Sequence, residues 1–156
     1  MSAIARSTGP STFRRLARND RVGAVLASVV GPALVWLVAT VGFGETLYQP
    51  GFGGVAPQEL GILPVVVTAG IAGLAGAGVL ALIERRSRRP AQVWLVVSTA
   101  VLVLSLGAPL SGEGIDIANK LALASMHLAA GGVLIPLLYR SARRRQEANA
   151  AGTEAR

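Results

Sequence analysis

Charged residues gather into short clusters along the chain and leave four long uncharged apolar stretches between them, where a soluble chain would spread its charges along amphipathic elements. The first stretch, residues 22–43, would extend roughly 33 Å as a helix, enough to cross a hydrocarbon core about 30 Å thick. The second covers residues 61–83, with Pro64 near its start, where a missing amide donor costs least. The third, 92–110, follows a turn whose Pro90 can open the helix. The fourth is shortest: its apolar run covers 121–139 and can begin a turn earlier, at Ile117. The pattern therefore predicts an all-α integral membrane four-helix bundle with spans near 22–43, 61–83, 92–110 and 118–139.

The connecting segments agree with that reading. GETLYQPGFGGVAPQEL at 44–60 is a glycine- and proline-rich loop, ERRSRRP at 84–90 is a tight turn, and SGEGIDIANK at 111–120 is a second polar loop. Within the basic segment 1–21, STFRRLARNDR fits either a short helix from Ser11, with Phe13, Leu16 and Ala17 on lipid, or a flexible leader. No small-x-small cleavage site follows the first run, which reads as an uncleaved anchor. The tail, 140–156, lacks apolar periodicity and is expected to be disordered beyond its first turn.

Composition sharpens the environment. Among 156 residues, 52% are hydrophobic and only 15% charged, with a mean hydropathy of +0.55, which makes lipid the expected solvent. The N-terminal segment, the 84–92 turn and the tail hold five, four and five arginines, whereas the two opposite loops hold only Lys120. Positive charge of that distribution predicts cytoplasmic N and C termini in a plasma-membrane protein. Trp94 and Tyr139 then fall at the inner interface, where amphipathic rings are favoured. The net charge of +7 is accounted for by topology and by attraction to anionic inner-leaflet lipids, so the bilayer rather than nucleic acid is the expected partner.

Small residues mark where helices should meet, because lipid is as apolar as leucine and association depends on close backbone approach. Ala69, Gly73, Ala77 and Ala81 recur every four residues in the second span; Gly23, Ala27 and Gly31 do so in the first, and the fourth has Gly131 and Gly132. The ridges are read as packing within the chain, although a second copy or another membrane protein would use the same chemistry. Pro32 and Pro136 are expected to introduce fixed bends.

Candidate chemistry is sparse. The absence of cysteine removes thiol redox, thiolate metal sites and cysteine nucleophiles. No span carries an interior acid, which excludes the embedded glutamate that small four-span multidrug exporters use to exchange protons. Glu84 is expected to pair with the adjacent arginines. No phosphate loop or metalloprotease helix is present, and no cofactor is predicted. The exception is His127, about nine residues from the outer end of the fourth span, where a polar side chain needs a reason. Thr68 and Ser105 lie at comparable depth, and with His127 are expected to line an outward-facing polar cavity, with Glu113 and Asp116 beyond. His127 reads either as a neutral histidine fastening its helix or as a ligand or proton site; a lone histidine cannot complete a metal site.

The stretches AGLAGAGVLALIERR, VWLVVSTAVLVLSLGAPL and LALASMHLAAGGVLIPLLYR, most specifically Met126-His127-Leu128 and the run to Pro136, resemble a group of small four-span actinobacterial membrane proteins known only as a domain of unknown function. That resemblance implies fold and location, and no activity. Taken together, the residues support a non-enzymatic accessory or interaction subunit, with a small carrier or ligand-binding protein using the cavity around His127 as the alternative.

Overall fold

The computed structural model describes the backbone of residues 10–154 and the side chains of residues 21–151. Its helices are α1 (Pro10–Leu37), which passes into a π-helical turn at Val38–Gly42, α2 (Ile62–Arg86), α3 (Pro90–Ser105), the short α4 (Gly107–Ser111) and α5 (Ile117–Glu154). Four stretches are long and apolar enough to cross a membrane: Arg21–Gly42, Ile62–Arg86, Pro90–Ser111 and Ile117–Ala151. The third is α3 and α4 in series, interrupted at Leu106. Pro109 explains the interruption: it has no amide to give the Ser105 carbonyl and its ring crowds that carbonyl. Pro32 and Pro136, by contrast, lie within helices that continue through them.

α1 and α5 form the central pair, with α2 laid mainly against α1 and α3 against α5. The closest approaches occur at glycines. A methyl at Gly31 would stand 3.1–3.2 Å from the Cβ and backbone of Ala129 on α5, and one at Gly73 3.0–3.1 Å from Ser28 and Val25 on α1. Gly131 faces Leu102 of α3, and Gly76 faces Leu134 and Trp94. On α2, Ala77 packs on the core while Ala69 and Ala81 are half-buried. On α1 the buried positions are Ala24, Ser28 and Pro32, with Ala27 and Gly31 half-buried beside them, while Gly23 of the expected ridge has nothing near it.

Polarity is distributed inside out relative to a soluble bundle. Ser28 (1% exposed), Ser98 (8%), Asn119 (7%) and Ser141 (4%) are buried, while Leu63, Leu74, Val96 and Leu104 are 65–77% exposed. In water so extensive an apolar surface would drive aggregation, whereas in lipid it is the matched surface. Two of the inward serines are satisfied along their own helices, Ser28 Oγ donating to the Val25 carbonyl at 2.8 Å and Ser98 Oγ to that of Trp94 at 2.6 Å, whereas Ser141 Oγ has no hydrogen-bond partner among the described residues.

At the arginine-rich end, a core of Leu80, Ala91, Trp94, Leu138 and Ala142 holds the helices together. Trp94 is only 3% exposed and donates from Nε1 to the Ile135 carbonyl of α5 at 3.1 Å. It therefore ties two helices instead of lying as a free ring at an interface; Tyr139 packs partly buried beside the same core. Glu84 is paired, but not with its sequence neighbours. Both its oxygens accept from Arg21 Nη2 of α1 at 2.6 Å, and Oε2 also accepts from Arg145 Nη1 of α5 at 3.2 Å. The adjacent Arg85 and Arg86 stay exposed because they leave α2 on other faces, while Glu84 is turned towards the two flanking helices.

The tail also departs from expectation. α5 remains helical through Glu154. Ala142 and Ser141 are buried, Arg145 is held by Glu84, and Arg143 pairs with Glu147 one turn on at 3.2 Å, in a stretch rich in alanine and arginine. Those contacts and high helix propensities replace the missing apolar period. At the other terminus α1 starts at Pro10, so the expected basic helix is the first part of α1; the lipid contacts expected of Phe13, Leu16 and Ala17 and the structure of residues 1–9 and 155–156 lie outside the described residues.

Candidate functional site

At the loop end the first connection folds down over the helices. Strand β1 (Tyr48–Gln49) pairs antiparallel with β2 (Gln58–Glu59), and Gly51 bridges to Glu113 of the second loop. Leu47 inserts among Val65, Leu123 and Met126, and the Trp36 indole donates to the Leu60 carbonyl at 2.7 Å. The two loops interlock closely enough that any side chain at Gly112 would overlap Pro50.

Three local features shape a groove beneath this cap. The first is the π turn, closed by Phe43 N–H donating to the Val38 carbonyl at 3.1 Å. Thr40 Oγ1 donates to the Trp36 carbonyl at 2.8 Å, the acceptor that the Thr40 amide would use in a regular α-helix, and such competition accompanies the wider turn. The second is the start of α5, where Asp116 caps the helix by accepting from the Asn119 amide at 2.8 Å. The third is Asn119 itself. Its Oδ1 accepts from the Tyr48 amide at 3.3 Å and its Nδ2 donates to the Tyr48 carbonyl at 3.0 Å, so one buried side chain extends the β1 ladder and fixes loop to helix.

The resulting groove encloses about 1100 Å³ between the end of α1, residues 43–48 and the start of α5. Leu34, Val35, Val38 and Ala122 give it an apolar wall, while Glu45, Tyr48, Asp116 and Asn119 stand among its polar lining, and no basic side chain lines it. A space of that size with a few polar groups is the usual form of a small-molecule site. Its chemistry suits an apolar body with a cationic or hydrogen-bond-donating head.

His127, Ser105 and Thr68 do not line this groove and are not joined to one another by any hydrogen bond among the described residues. Half-buried His127 places Nδ1 2.9 Å from the Leu123 carbonyl of its own helix; because a carbonyl only accepts, Nδ1 carries the proton. Ser105 Oγ donates to the Leu102 carbonyl at 2.7 Å, and Thr68 is exposed on α2. Glu113 and Asp116 do reach the loop end, Asp116 within the groove. No three of the described histidines and carboxylates come together as a metal site requires.

Residues 12–144 match the family model of DUF6069, a family of unknown function, which takes in the first three membrane-length stretches, the fourth as far as residue 144 and the loops that build the groove. The chain belongs to DUF6069. This DUF6069 member matches no curated protein and no solved structure. The match extends the likeness noted in the second to fourth spans back through the first, and thereby takes in Glu45 and Tyr48 as well as Asp116 and Asn119. Sequence reasoning placed Asp116 at the outer edge of the expected cavity and left Glu45, Tyr48 and Asn119 as loop residues. The Asp-x-x-Asn step at the start of the last span was a legible helix cap; its partnership with Tyr48, 71 residues away, was not.

Proposed function

We propose that this DUF6069 member is a non-enzymatic plasma-membrane protein, with its arginine-rich end in the cytoplasm, that binds an amphipathic small molecule in the groove at its outer end. The single observation that carries this reading is the pairing of an apolar wall on α1 and α5 with a lining that holds two carboxylates, Glu45 and Asp116, and no counter-charge. Orientation is supported by the arginine asymmetry between the two ends. The binding role replaces the cavity expected around His127 with one formed by the loops.

A fluorescent long-chain alkylamine titrated into the detergent-solubilised full chain tests the reading. Saturable binding is expected, weakened about tenfold in the double variant Glu45→Gln, Asp116→Asn, on the scale of one exposed charge contact per carboxylate. Asparagine preserves the helix cap, so loss of binding would not reflect loss of α5. Equal binding by the variant and the parent chain would sink the proposal.

A second reading, an accessory or interaction subunit, has its own support. Gly78 on α2 and Gly132 on α5 have nothing within 4 Å, leaving places where another helix can approach closely. Co-purification of a membrane protein or a second copy in mild detergent is its expected outcome; a solitary monomer would remove its basis.

A further inference from the structure

The arginine-rich end holds a second cavity, of about 930 Å³, between the start of the first span, the α2–α3 turn and the cytoplasm-bound part of α5. Arg21, Arg85, Arg88 and Arg145 line it around a single carboxylate, Glu84. Topology alone explains why arginines are at this end of the molecule. It does not explain their convergence from three separate elements on one cavity.

Glu84 arranges the cavity rather than neutralising it. It takes Nη2 of Arg21 and Nη1 of Arg145, and its side chain is only 12% exposed. Arg21 Nε is left buried with no hydrogen-bond partner among the described residues. A buried guanidinium donor without an acceptor is unfavourable and calls for one. Arg85 and Arg88 stand exposed at the turn, and the first turn of the 16-residue α3, whose Pro90 also lines the cavity, adds the positive end of a helix dipole. Arginine forks, a helix N-terminus and net positive charge together select a tetrahedral oxyanion.

We infer that this cavity is a phosphate-group site, built on the Glu84 clamp and completed by Arg85 at the end of α2 and Arg88 of the α2–α3 turn. Its position at the end of the spans, level with the headgroups of the leaflet on that side, makes an anionic phospholipid the ligand it meets at highest concentration; a free phosphate offers the same chemistry. The site is independent of the groove at the opposite end, and its variants touch none of the groove residues.

Native mass spectrometry of the full chain, released from mixed micelles of phosphatidylglycerol and phosphatidylcholine, tests it, with inorganic phosphate titrated in a parallel arm. The chain is expected to retain one phosphatidylglycerol in preference to phosphatidylcholine. Arg85→Gln with Arg88→Gln should reduce retention about fivefold per arginine, the scale of one exposed charge contact made directly to the phosphate group. Arg140→Gln with Arg143→Gln removes the same charge outside the cavity and should leave retention unchanged. Retention of inorganic phosphate lost in the first variant would place the site with the free anion and still support it. Equal retention of both lipids with no phosphate binding, or equal losses in the two double variants, would overturn it. Thermal unfolding of the variants, expected to coincide with the parent chain, shows that the exposed pair is not needed for folding.

Discussion

Glu84 illustrates how much depends on whether a charge is enclosed. Its carboxylate joins α1, α2 and α5 through arginines that are themselves largely covered. Removing one member of such a set leaves the others desolvated and unpaired, so Glu84→Gln should destabilise the bundle by about 2 kcal/mol, read as a lowered unfolding temperature in detergent. The Arg143–Glu147 pair has similar geometry but is 59% and 63% exposed, and Arg143→Gln should change stability by less than about 0.5 kcal/mol. His127 belongs with the modest cases. Its one hydrogen bond among the described residues is to its own helix, so His127→Ala should cost about 1 kcal/mol and leave alkylamine binding unaltered. Loss of that binding with unchanged stability would return His127 to the centre of the site.

Between helices, the informative distinction is which glycines touch something. Gly31 faces the Ala129 backbone, which cannot rotate away, so even Gly31→Ala must separate α1 from α5 and should destabilise by ~2 kcal/mol in thermal unfolding. Gly78 faces open space, and Gly78→Ala should be neutral or stabilise by up to about 1 kcal/mol through helix propensity. The helices themselves were legible in the sequence because uninterrupted apolar length is a strong local signal, and Gly31, Gly73 and Gly131 of the small-residue pattern each lie against a neighbouring helix. Which face each helix turns inward was not legible, since nearly every side chain in a span is apolar: Gly23 and Ala24 are equally small, and only packing separates them. The helical tail was missed for a related reason. Its order comes from Glu84 and from the core around Leu138, contacts remote in sequence, rather than from a period of its own. The Asn119–Tyr48 pairing that positions the groove is likewise a contact between two loops that composition leaves unconnected.

At the scale of the whole molecule, the two ends are built for opposite charges. One gathers arginines around a cavity, and the other presents carboxylates beside an apolar groove, with a belt of exposed leucine and valine between them. In the proposed orientation that polarity would set the direction of the molecule across a bilayer, with the two proposed sites on opposite faces. The chain contains no cysteine, so single cysteines placed at Thr46, in the groove, and at Arg88, in the turn, can be addressed without background. Labelling of intact cells with a membrane-impermeant maleimide tests the account most directly. Thr46→Cys should react, and react more slowly when the alkylamine occupies the groove, while Arg88→Cys should react only after the cells are opened. Labelling of Arg88→Cys in intact cells with Thr46→Cys protected would invert the molecule and contradict the account.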